Sequence, residues 1–178
     1  MRNIRNKSLA IVGALALAPM VFGNSITGTQ TLNPRPGPIG KLQVVTPTVT
    51  LTHTGTTFSS FTGSEILNFK IRTTISTGSG SITVRGTADF TGSGPKIASG
   101  DFTYTCSGAT FGTVCSGAQI LTTGSQSNVL TVGAGVCVGT GCAGTDPSVV
   151  TTNFIVADSP VFKTGAFSAT LTYTISGL

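Results

Sequence analysis

The chain has no tryptophan, one histidine, five acidic residues and two tyrosines among its 178 residues, and each shortage removes a class of function. Without Trp, and with Tyr104 and Tyr173 both falling on predicted core faces, the usual aromatic platform for stacking sugars is missing. A hydrolytic triad would have to use His53, the sole imidazole, together with an acid to orient it. His53 lies on the apolar side of a Thr-rich stretch and reads as a packed or partly exposed strand residue. There is no Gly-x-Ser-x-Gly elbow; Gly78-Ser79-Gly80-Ser81 and Gly92-Ser93-Gly94 have the composition of turns. The five acids are Glu65, Asp89, Asp101, Asp146 and Asp158. Their spacing favours neither a glycosidase pair nor the clustered oxygens that calcium requires. No catalytic, cofactor-binding or metal-binding residue is therefore assigned, and the chain is read as a non-enzyme.

Long apolar runs are also lacking, with one exception at the start. Arg2, Arg5 and Lys7 precede an apolar run from Leu9 to Phe22, and Val21-Phe22-Gly23 offers a small-residue cleavage site. That is the pattern of a signal peptide, residues 1–23, and the run is too short for the roughly twenty residues of a membrane span. The expected product is a mature chain of about 155 residues beginning near Asn24. It is exported, with a membrane role only through the export signal, and is secreted or held at a cell surface. Setting that segment aside changes the charge. Of ten Lys and Arg, three lie within it, leaving seven against five acids, a net of +2 in place of +5. The seven are scattered, with no basic run and no interleaved aromatics, which argues against nucleic acid as a partner.

What is present is Thr, Ser and Gly in abundance, with apolar residues recurring at every second position. Residues 24–41, with Asn33-Pro34-Arg35-Pro36-Gly37-Pro38, read as an extended Pro/Gly-rich arm, since each Pro lacks a donor. Residues 42–178 read as one domain. Gln43 to Thr54 places five threonines on one face, with Pro47 marking an edge strand or strand start. Leu67 to Ile75 and Ile82 to Phe90 alternate cleanly around Thr77-Gly78-Ser79-Gly80 and are predicted to form a hairpin. Strands follow at Phe102–Cys106, Gln119–Thr123, Val129–Val132 and Val149–Val156. The last, Gly165–Leu178, sets Phe167, Ala169, Leu171, Tyr173 and Ile175 against Ser168, Thr170, Thr172 and Thr174. No window has helical spacing. The predicted fold class is all-β: an antiparallel β-sandwich, immunoglobulin-like or jelly-roll-like, of about eight strands.

Four cysteines, Cys106, Cys115, Cys137 and Cys142, form an even set in an exported chain, so disulfides are expected. A zinc site fits poorly, because neither spacing is that of a zinc knuckle and His53 is distant. Pairing Cys106 with Cys115 and Cys137 with Cys142 is preferred, since each pair brackets a Gly-rich segment. The nested alternative, Cys106 with Cys142 and Cys115 with Cys137, remains open on sequence alone.

The closing segment Gly165-Ala166-Phe167-Ser168-Ala169-Thr170-Leu171-Thr172-Tyr173-Thr174-Ile175 resembles the final strand of bacterial secreted β-sandwich families, including spore-coat-U-like and other fimbrial subunits. It also resembles surface modules of the WxL type, although the Trp-x-Leu motif that names them is absent. The fimbrial resemblance implies a structural or adhesive subunit that assembles by strand exchange, with itself or with other surface proteins, and with the 24–41 arm as candidate donor. The alternative expectation is a secreted binding module for a glycan or another extended ligand, using the Thr rows. Thr on a solvent-facing strand also has the plainer explanation of β-propensity.

Overall fold

A computed structural model describes residues 39–53, 55, 57–72, 78–136 and 147–177, all within the unit Arg35–Leu178. The predicted signal peptide, most of the arm, Cys137, Cys142 and Asp146 lie outside the described residues. Ten strands are present among the described residues: β1 (Ile39–Val44), β2 (Thr52–His53), β3 (Phe61–Arg72), β4 (Gly80–Ala88), β5 (Phe102–Ser107), β6 (Thr113–Val114), β7 (Gln119–Ile120), β8 (Ser127–Val132), β9 (Ser148–Val156) and β10 (Thr170–Gly177). The described residues contain no helix. Every pairing is antiparallel. One sheet runs β1-β3-β9-β5-β7, with β2 also on β3, and the other runs β10-β4-β8-β6.

Period-two alternation explains most of the core, and the adjacent pair Val129 and Leu130 is buried together because the β4–β8 register shifts between Ile82 and Thr83, leaving Val129 out of the ladder. Leu67, Phe69 and Ile71 on β3, Ile82 and Val84 on β4, Val129, Leu130 and Val132 on β8, and Val150, Phe154 and Val156 on β9 are buried in one cluster that draws on both sheets. Full burial of each such side chain contributes about 1.5–3 kcal/mol. Tyr104 is buried there too, and its hydroxyl donates to the Asn128 carbonyl at 2.7 Å, joining β5 to β8 of the other sheet.

Several expectations change. The predicted hairpin does not form: β3 and β4 belong to different sheets, β3 pairing with β1, β2 and β9, and β4 with β10 and β8. Both segments carry one apolar face, and covering each with the other across the core buries more than side-by-side pairing could. The predicted strand Gln43–Thr54 is broken. β1 begins earlier, at Ile39 within the expected arm, and ends at Val44; residues 45–51 then run as an irregular strap before β2. Pro47 within the strap supplies no ladder donor. The Thr row there is accordingly not one flat strand face, and Thr54 lies outside the described residues. The last strand starts at Thr170 instead of Gly165, although Phe167 and Ala169 still pack on the core.

Candidate functional site

Cys106 and Cys115 are disulfide-bonded, with Cα atoms 5.4 Å apart. Cys106 is on β5 of the larger sheet. Cys115 follows β6 and donates its backbone N–H to Val129 of β8, in the smaller one. The bond thus ties the two sheets together, where the Gly-rich spacing had suggested only a local turn. The second predicted pair, Cys137 with Cys142, lies outside the described residues.

The candidate catalytic groups are dispersed. His53 is exposed, 3.0 Å from the Ser59 hydroxyl through Nε2 and tilted against the Phe61 ring at 5.4 Å. Neither neighbour is an acid that could orient it. Asp89 staples the loop after β4: its Oδ1 accepts from the N–H groups of Phe90 and Ile97, both at 2.7 Å, and its Oδ2 from Ala98. Burial raises the pKa of this carboxyl, but those backbone donors and the nearby Lys96 charge prevail and hold it below the usual 3.8. Asp101 accepts from the Lys96 N–H at 2.8 Å, and the Lys96 ammonium donates to the Phe90 carbonyl. Asp158 accepts from Ser159 N–H. All three acids serve turns. Among the described residues, no group of three His, Cys, Asp or Glu side chains is arranged to hold a metal ion.

Glu65 is different. It precedes Leu67, Phe69 and Ile71 on the inward face of β3 and is 2% exposed. Its Oε1 accepts the Thr46 N–H at 2.9 Å, anchoring the strap, while Oε2 has no hydrogen-bond partner among the described residues. Directly opposite on β9 stands Thr152, also fully buried. The Thr152 hydroxyl donates to the Glu65 carbonyl at 3.5 Å, which leaves its oxygen to accept from the Tyr173 hydroxyl, 2.9 Å away and reaching in from β10. Burial pushes the Tyr173 phenol up to about 12, the Thr152 bond works the other way, and the Glu65 charge adds to the rise.

Glu65 forms part of the wall of a cleft of about 840 Å³. The strap covers one side. Leu51 and Val49 pack over Gly63, where a Cβ would come within 2.7 and 3.0 Å of them. The approach to β10 forms the other side, with the Phe167 ring against Gly94 so closely that a Cβ would meet it at 2.4 Å. Phe90, Phe102 and Phe154 line the interior as a chain of ring contacts at 5.8 and 5.6 Å. Sequence reasoning left Glu65 without a role; the signal was available, since the alternation through Leu67, Phe69 and Ile71, extended one step back, puts it in the core.

β10 forms an edge of the smaller sheet, paired among the described residues with β4 alone. Its outward side chains, Thr170, Thr172, Thr174 and Ser176, are exposed. They continue across the sheet as polar rows: Ser176 beside Ser81 beside Thr131 beside Thr113, all hydroxyls, and Thr174 beside Thr83 beside the Asn128 carboxamide. No family model, no curated protein and no solved structure matches this chain.

Proposed function

We propose that the chain is a secreted β-sandwich that serves as a structural subunit of a cell surface or extracellular filament and assembles by strand pairing along Thr170–Gly177. The observation that carries this reading is the character of that edge. β10 is eight residues long, contains neither a charged residue nor a proline, and has described pairing on one side only. Soluble proteins protect such edges with Lys, Pro, bulges or covering loops, because unpaired N–H and C=O groups template a further strand. The irregularity between Thr170 and Leu171 touches only its first residue. Each ladder hydrogen bond gained by an added strand contributes about 1 kcal/mol net. The Cys106–Cys115 bond supports an oxidising compartment and so the exported address.

The test is sedimentation velocity of the mature chain, its Thr174→Lys variant, and a form lacking residues 24–38, the trimming stopped short of β1. Self-association of the parent and a monomeric Thr174→Lys variant are expected, because a Lys on the edge opposes a second strand. If the truncated form also dissociates, the arm is the donor. A parent that stays monomeric at high concentration sinks the proposal. The polar rows on β10, β4 and β8 favour a second reading, a glycan-binding face, which a glycan array tests directly.

A further inference from the structure

We propose that the cleft between the strap and the approach to β10 binds an amphiphilic amine, a molecule with an apolar chain or ring and a protonated amine that donates to Glu65 Oε2. The inference is separate from strand pairing and stands on three features of the cleft. Its volume, about 840 Å³, is that of a small-molecule pocket. Its lining is dominated by apolar side chains, Val49, Leu51, Phe61, Phe102, Phe154 and Phe167 among them, which selects an apolar body. Glu65 is the only charged residue among the described lining residues, and it is 2% exposed with one carboxylate oxygen unpartnered.

A buried carboxylate is costly unless paired, and the cleft's own described residues supply a single donor, the Thr46 N–H. Thr152 and Tyr173 are committed to each other and to the Glu65 carbonyl, so neither relieves Oε2. An incoming ammonium would. The terminal carboxylate torsion is soft, which lets Oε2 turn toward an entering donor while β3 stays in place. The same charge disfavours a fatty carboxylate.

The test is calorimetric titration of the full mature protein with decylamine, decanol and decanoate, each below its micellar concentration. Decylamine is expected to bind one per chain, at least about tenfold tighter than decanol, with decanoate weakest. Glu65→Gln should abolish the preference for the amine and leave decanol binding in place. Val49→Trp, on the half-buried strap, should fill the cleft and weaken both ligands, and it keeps the idea testable should Glu65→Gln fail to fold. Equal affinity for amine and carboxylate, amine binding unchanged in Glu65→Gln or in Val49→Trp, or no binding by the folded protein each overturns the proposal. Thr174→Lys, which disables the edge, should bind decylamine as the parent does, so the failure of one proposal is separable from the failure of the other.

Discussion

Replacing both Cys106 and Cys115 by Ala removes the covalent tie between the sheets, and its cost follows from the loop it closes. The two residues are 9 apart in sequence. The chain-entropy relation for a loop of that length gives about 2.6 kcal/mol at 25 °C, below what a long-range disulfide would supply. A domain of this size loses about 2–4 °C of Tm per kcal/mol, so a fall of about 5–10 °C is expected. Cys115 is buried and Cys106 packs against the core, so alanine keeps the site apolar. The assay is urea unfolding of the parent and the double variant, each with and without reductant, so that Cys137 and Cys142 are in the same state in each comparison. In reductant the two should share a midpoint, with the same slope as each other. A loss under about 1 kcal/mol would refute the reasoning, as it would mean that the sheets are held in register equally well without the bond. A double variant far less stable than the reduced parent would refute it differently, by showing that the sulfur atoms act chiefly through packing.

Two further perturbations probe the loops flanking the cleft. Asp89 has a folded pKa below 3.8, so its stabilisation is present above that value and is lost as pH falls through the lower folded pKa. Asp89→Asn should lower stability near pH 7 by about 1 kcal/mol, a modest figure because the group is partly solvated. It should also flatten the acid limb below pH 3.8 in a series of thermal melts; an unchanged acid limb would count against the stapling role. Gly94→Ala places a Cβ 2.4 Å from the Phe167 ring. The ring must move, at a cost of about 1–3 kcal/mol measured by urea unfolding, and a neutral result would mean that Phe167 is loosely held.

The elements legible in the sequence were those whose pattern is local. Leu67, Phe69 and Ile71 announced the buried face of β3, and Ile82 and Val84 that of β4, because side-chain alternation is a property of a single strand. Which strands meet is not local. Thr77-Gly78-Ser79-Gly80 has turn composition, yet the strands on either side of it enter different sheets, since what decides the partner is where each apolar face finds cover. The strap failed for the opposite reason. Thr and Val at alternate positions from Val45 to Leu51 mimic a strand, but Pro47 removes a ladder donor, and Val45 is exposed while Val49 and Leu51 turn onto Gly63. The disulfide was legible as a pair and illegible as a tie between sheets, because spacing fixes loop length and says nothing of which strands the loop joins.

The polar row in the core shows why the cleft and the edge are distinct and still adjacent. Glu65 and Thr152 face each other on β3 and β9, and the hydroxyl that completes the row comes from Tyr173 on β10. With its pKa near 12, that phenol remains a donor through the physiological range, so its bond to Thr152 does not switch with pH. The row therefore fixes the inner face of β10 against the larger sheet, while the outward side chains Thr170, Thr172, Thr174 and Ser176 are exposed. Glu65 Oε1 fixes the strap in the same way from the other side. Both walls of the cleft are thus hydrogen-bonded to one short stretch of polar core, in which Oε2 has no hydrogen-bond partner among the described residues. A carboxylate whose purpose was to hold the walls would need only the oxygen that Thr46 already occupies; the second, buried and without a partner among the described residues, is a cost that a donor entering the cleft would remove.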